Sequence, residues 1–214
     1  IGTALSLMGD ATLYTVLPTH PGDAGIALAS VGVILSVNRI IRLVTNGPAG
    51  WLYDRVRDRR VIFLASLALG VFSTALYALS SSFEPFLIAR LLWGAAWSGI
   101  WVGGNAIVLE MAPEGERGRW VGIYQVWFFF GSSLGSLFGG VLTDAFGYRP
   151  TLWIGAIISA LGAIIAAIGL LNHFHLRDKK PASQPYTPKP RWSIVPDLRA
   201  LSPRLWSVIA AHGV

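Results

Sequence analysis

Six apolar blocks of about 20 residues, separated by short polar segments, leave few folds open to this chain. At 1.5 Å per residue, a helix of about 20 residues spans the ~30 Å hydrocarbon core of a bilayer. Lipid offers the backbone no hydrogen-bond partners, so a spanning segment must be a helix or a strand of a closed barrel, and barrel strands need only about 10 residues. The blocks fall at residues 1–17, 24–49, 61–80, 86–111, 120–143 and 151–171. Only 13% of residues are charged and 53% are apolar, against about 25% charged in soluble domains. The expected class is therefore an all-α transmembrane bundle of six helices surrounded by a lipid bilayer.

Past the sixth block the character changes. Residues 172–204 carry seven Lys or Arg and six prolines, a composition that favours an extended, solvated linker. The run from Leu205 to Ala211 is apolar again. The expected organisation is a six-helix unit over 1–172, a basic Pro-rich cytoplasmic linker over 173–204, and the start of a seventh helix over 205–214. The chain begins at Ile1 and stops inside an apolar run, so both ends read as truncated and a carboxyl-terminal half is expected as the partner of this one. The first block lacks a basic leader, contains Asp10, and reaches Leu17-Pro18 without a small-x-small site; it reads as a helix and not as a signal peptide.

A formal charge of +6 raises nucleic-acid binding, but the cations sit in particular loops instead of forming a stripe. Of 17 Lys and Arg, 13 lie in the segment after block 2 (Arg55, Arg57, Arg59, Arg60), the segment after block 4 (Arg117, Arg119) and the tail. The opposite loops hold Arg149 alone. Cytoplasmic loops are enriched in Lys and Arg, which puts the start of block 1, the turns after blocks 2 and 4, and the tail in the cytoplasm. Zero cysteines exclude disulfides, thiolate metal sites and a Cys nucleophile. His20, His173, His175 and His212 are scattered, and no phosphate-binding G-x-x-x-x-G-K-[ST] loop occurs. Neither an enzyme, a metal, a cofactor nor a nucleic-acid partner is expected.

The chain also repeats itself. Gly50-Trp51-Leu52-Tyr53-Asp54 and Gly140-Val141-Leu142-Thr143-Asp144 share G-x-L-x-D, each with an arginine nine residues after the glycine, Arg59 and Arg149. The offset of 90 residues is three helices plus loops, and an odd number of crossings puts the copies on opposite sides of the membrane. Two inverted three-helix repeats follow, a layout common to secondary transporters.

Residues 50–60 resemble the loop signature of the major facilitator superfamily, approximately G-x-L-x-D-R-x-G-R-R, at Gly50, Leu52, Asp54 and Arg55. Arg57 and Asp58 depart from it where the family has Gly and a basic residue, which puts the family's tight turn in question. Arg90 with Gly94 resembles the family's R-x-x-x-G motif, and residues 131–140 resemble its G-x-x-x-G-P-x-x-G-G antiporter motif with Ser136 in place of proline. The resemblance implies a conformational latch at Gly50, Asp54, Arg55, Arg57 and Arg59, with Glu110 pairing one of those arginines. It also implies that the first, second, fourth and fifth helices border a central path while the third and sixth are more peripheral. Gly131, Gly135 and Gly139, with Gly140 beside them, present a small-residue face suited to close helix packing.

Ionisable groups inside a bilayer are costly unless paired or hydrated, so each is a functional candidate. Asp10 and Arg90 lie at depths differing by about 5 Å, within reach of an arginine side chain. Desolvation favours a neutral acid and a nearby Arg the carboxylate, so a conformational change that alters the balance can move a proton. A fixed structural ion pair is the alternative. Arg39 and Arg42, with Asn38 beside them, would attract an anionic group or pair with acids in the missing half, and Arg42 could instead snorkel to the interface. Trp93, Trp97, Trp101 and Asn105 recur every four residues and suit a ring-bearing solute or plain packing. Tyr14 and Gln125 complete the candidate cavity, with Trp127 as a weaker candidate.

These features lead to a secondary transporter that moves a small solute or drug by alternating access, coupled to protons, with efflux favoured over uptake. A transporter-like scaffold or sensor is the alternative. The expected location is a prokaryotic inner membrane. Reporter fusions at residues 55–60 and 113–119 should report the same cytoplasmic face; opposite faces would break the six-crossing layout.

Overall fold

A computed structural model describes the backbone of residues 1–177 and the side chains of residues 1–171. Six helices account for nearly all of it: α1 (Gly2–Thr19), α2 (Leu28–Arg55), α3 (Arg59–Leu79), α4 (Phe83–Met111), α5 (Arg117–Phe146) and α6 (Tyr148–Arg177). No strand occurs among the described residues. The linker and seventh-helix expectations, from residue 178 onward, lie outside them.

Most helices outrun their apolar blocks, because the blocks measure the hydrocarbon layer while the helices continue into the polar zone. α2 carries on through Pro48 to Arg55, and α6 continues to Arg177. The start of α2 moves the other way, to Leu28. Residues 20–27 form a turn that buries Ala24 and Ile26, and Gly25 adopts φ +67° against the Ser81 carbonyl. A side chain there would be strained by the left-handed backbone as well as crowded by that carbonyl. The turns after α1 and α3 therefore touch at one end of the bundle.

Between α2 and α3 only Val56, Arg57 and Asp58 intervene, and no non-glycine residue in the described chain has positive φ. The turn needs no glycine at position 57. Asp58 stops the chain in extended geometry and accepts a hydrogen bond from the Arg60 amide at 3.1 Å, capping α3.

α1 is the innermost helix, with twelve of its 18 residues buried. Its Ala4, Met8 and Thr12 backbone rungs lie under Gly131, Gly135 and Gly139 of α5; a Cβ added at Gly139 would stand 2.9 Å from the Thr12 carbonyl. On its other side Gly2 and Gly9 meet Gly162 and Gly155 of α6, and Ser159 Oγ donates to the Ser6 carbonyl at 2.9 Å. Thr15 Oγ1 also donates to the Ser136 carbonyl at 2.7 Å. Lipid tails are as apolar as leucine, so close backbone approach and interhelical hydrogen bonds, not hydrophobicity, bind these helices.

The packing obeys the exchange of α1 with α4, α2 with α5 and α3 with α6. α1 packs on α5 and α6 as α4 packs on α2 and α3, and α3 and α6 pack on each other. The register agrees with the 90-residue offset read from the sequence. The pair Ala4–Gly131 has its counterpart in Gly94–Ile41, and Met8–Gly135 in Ser98–Thr45, whose hydroxyls lie 2.7 Å apart.

Five helices, α2 to α6, are long and apolar enough to cross a membrane by length and composition. α1 falls outside that set because Thr3, Ser6, Asp10, Thr12 and Thr15 dilute it. Flanked by α5 and α6, it meets little solvent of any kind and has less need of an apolar surface. The distribution of polarity is the reverse of a soluble protein: Leu43, Val126 and Leu137 lie exposed on the outside, whereas Asp10, Asn38 and Arg90 are buried. The chain is an integral, multi-pass membrane protein.

Candidate functional site

Four helices, α1, α2, α4 and α5, enclose a cavity of about 380 Å³. From α1 come Leu7, Asp10 and Tyr14; from α2, Asn38, Arg39 and Arg42; from α4, Trp93 and Trp97; and from α5, Phe128, Phe129, Ser132 and Ser136. α3 and α6 do not line it.

Asp10 of the lining is ion-paired with Arg90, which lies behind the wall. Arg90 Nη1 donates to Asp10 Oδ1 at 2.8 Å, and the Arg90 side chain is fully buried. The Tyr77 hydroxyl donates to the same carboxylate oxygen at 2.9 Å and accepts from Arg90 Nη1 at 3.0 Å. Arg90 Nη2 donates to the Tyr14 hydroxyl at 2.8 Å, which also accepts from Asn38 Nδ2 at 3.2 Å. The guanidinium lies between two phenol rings, 5.0 Å from the Tyr14 centroid and 5.7 Å from that of Tyr77. Arg90 Nε and Asn38 Oδ1 are buried without a hydrogen-bond partner among the described residues. The charge is thus held by one carboxylate, two phenols and two ring faces, a stack that spans α1, α3 and α4.

Arg42 takes a different position. Its Nε donates to the Asn38 carbonyl at 3.1 Å, and its guanidinium sits 4.2 Å over the Trp97 ring. Trp97 stacks on Trp101 at 5.3 Å, and Phe128 meets both edge-on.

Six of the cavity residues proposed from sequence therefore line it: Tyr14, Asn38, Arg39, Arg42, Trp93 and Trp97. Trp101, Asn105 and Gln125 do not. Trp101 backs Trp97 from one turn further along, and Asn105 spends its amide on the Trp101 carbonyl at 2.8 Å. A four-residue spacing drifts around a helix of 3.6 residues per turn, so the stripe leaves the cavity face after two members. Tyr77 escaped sequence reading although a phenol deep in an apolar segment was a usable signal. Ser136 stood out only as the replacement for the motif proline, and Ser132 carried no signal. Phe128 and Phe129 carried no signal in an apolar run.

At the end of the bundle carrying the turns after α2 and α4, Arg59 Nη1 lies 3.8 Å from Glu110 Oε2 and its Nε donates to the Tyr53 carbonyl at 3.2 Å. Arg55 instead covers the Trp51 ring at 4.2 Å, while Arg57 and Asp54 are exposed. Gly50 was expected to admit a neighbouring helix, yet a Cβ there would meet nothing within 4 Å. The close approaches are made by Gly94, against Asn38 and Ile41, and by Gly103, against Tyr53.

The sequence pattern of the Major Facilitator Superfamily matches residues 1–213, and the chain belongs to that family. It is 30% identical over 163 residues to a probable 4-methylmuconolactone transporter of Cupriavidus pinatubonensis, covering 76% of this chain and 37% of that protein. An uncharacterized MFS-type transporter of Methanocaldococcus jannaschii is 24% identical over 79% of this chain and 44% of its own length. Multidrug resistance protein MdtG of Escherichia fergusonii is 26% identical over 84% of this chain and 43% of its own. The chain thus spans less than half the length of these relatives.

Removing one member of a buried ion pair strands the other, at a cost of about 3–5 kcal/mol. Asp10→Ala and Arg90→Ala should each lower the thermal midpoint of the full-length protein sharply, and the double variant should lose less than the two single losses combined. Tyr77→Phe should cost about 1 kcal/mol, the scale of an interhelical hydrogen bond in a membrane protein. Additive losses at Asp10 and Arg90 would mean that the pair is not formed in solution.

Proposed function

We propose that this chain forms the amino-terminal half of a secondary active transporter that carries a small solute or drug across a membrane by alternating access, coupled to protons and in the efflux direction. The observation that carries this reading is the cavity: four helices line it, and Asp10 in its wall is ion-paired with Arg90 buried behind it. The names of the relatives support transport, and the likeness to a multidrug resistance protein supports efflux.

Asp10 is the proposed proton carrier. It borders the cavity while its Oδ1 is engaged by Arg90 and Tyr77, so a proton arriving through the cavity would cancel its charge and release Arg90. Arg90 would then draw compensation from elsewhere, which couples protonation to rearrangement of α1 against α4. The Arg59–Glu110 pair would act as part of a latch on the cytoplasmic side. Half-exposed and 3.8 Å long, it contributes about 0–1 kcal/mol, enough to bias two states without locking either. The carboxyl-terminal half would face the open side of the cavity, and the two halves would rock about it.

In vesicles containing the full-length protein, a pH gradient should drive movement of fluorescent organic solutes. Asp10→Asn should abolish that drive while leaving solute exchange down a concentration gradient. Gradient-driven movement that persists in Asp10→Asn would remove Asp10 from coupling.

A further inference from the structure

Once Asp10 has neutralised Arg90, the charged groups left around the cavity are Arg39 and Arg42, both positive. They stand three residues apart on α2 and so share a face. Among the described residues neither has a carboxylate within ion-pair distance. Arg42 is held in place through Nε and its ring contact, both of which leave its terminal nitrogens for another acceptor. Two like charges beside a low-dielectric wall repel each other and attract a counter-ion strongly.

Across from them α5 presents the exposed Phe129 ring with the Ser132 and Ser136 hydroxyls, while Trp97 is engaged by Arg42 and Trp101. A volume of about 380 Å³ lies in the lower part of the range for small-molecule pockets. We infer that the cavity binds a ring-bearing organic anion, its acid group on Arg39 and Arg42 and its ring against Phe129. The inference rests on reading the cavity as the solute site. The acid group would accept from the Arg42 terminal nitrogens, and the ring would take up the aromatic surface across from them.

Equilibrium binding to the full-length protein in detergent tests this, with 2-naphthoate as probe and 2-naphthylmethanol and 2-naphthylmethylamine as its neutral and cationic counterparts. Naphthoate should bind about tenfold tighter than the alcohol, and the amine weakest, the scale of one charge-assisted contact. Arg39→Gln and Arg42→Gln should each shrink the ratio of naphthoate to alcohol affinity toward one, in protein whose melting curve shows it folded. Arg42→Lys, which keeps the charge, should retain part of the preference. Equal binding of acid and alcohol, tighter binding of the amine, or a carboxylate preference that survives both Gln variants would overturn the inference. The transport reading is judged separately by vesicle flux. Acid-selective binding without flux would remove that reading and keep this one, and flux of neutral and acidic solutes alike would do the reverse.

Discussion

A fully buried guanidinium needs a compensating charge, and Arg90 finds it in Asp10 at 2.8 Å. Satisfying that one bond dictates much of the bundle. It fixes α1 beside α4 at a defined depth, and it draws the Tyr77 hydroxyl in from α3 and that of Tyr14 from α1. Because lipid would leave either charge bare, the pair must sit inside the ring of helices, and α1 must be the helix that occupies the centre. The same bond leaves Asp10 at the edge of the cavity, so the group that holds the fold together is also the one we propose as the proton carrier.

Small residues let the centre close around α1. Glycines of α5 and α6 grip its backbone from two sides, and α4 is approached by α2 through Gly94 in the matching register of the other repeat. The inverted repeat is thus a statement about packing: α1 and α4 are each held by two helices of the other triplet, and the α1–α5 and α4–α2 contacts share the 90-residue offset. Where α2 and α5 diverge across the bundle, the space between them remains as the cavity. Arginines line one side of it and phenylalanines the other.

Most of the architecture was legible because a bilayer permits so little else. Apolar block length counted the helices, and the G-x-L-x-D pair gave both the repeat and its register. Asp10 and Arg90 were legible as partners because an unpaired charge at those depths would be prohibitive. The helix ends were less so, since hydropathy reports the lipid layer and not where hydrogen bonding stops; Gly25 shows its turn only through φ +67° and the nearby Ser81 carbonyl. Cavity membership was legible only in part. Whether Trp101 or Trp97 faces the opening depends on helix rotation over a few tens of degrees, and Phe128 looks like any other apolar residue in a run of four aromatics. Gly50 matched a family pattern, yet among the described residues a Cβ there would meet nothing within 4 Å.

The central claim is that α1 is dry against α5 and α6 and wet along the single stripe that carries Asp10. Single cysteines placed along residues 2–19 of a full-length protein from which any cysteine outside this segment has been removed can be read with a small, membrane-impermeant thiol reagent. Labelling should appear at positions 7 and 14, which line the cavity, and be absent at 4 and 12, which lie under the α5 glycines. Uniform labelling, or labelling centred on positions 4 and 12, would contradict this account of the bundle.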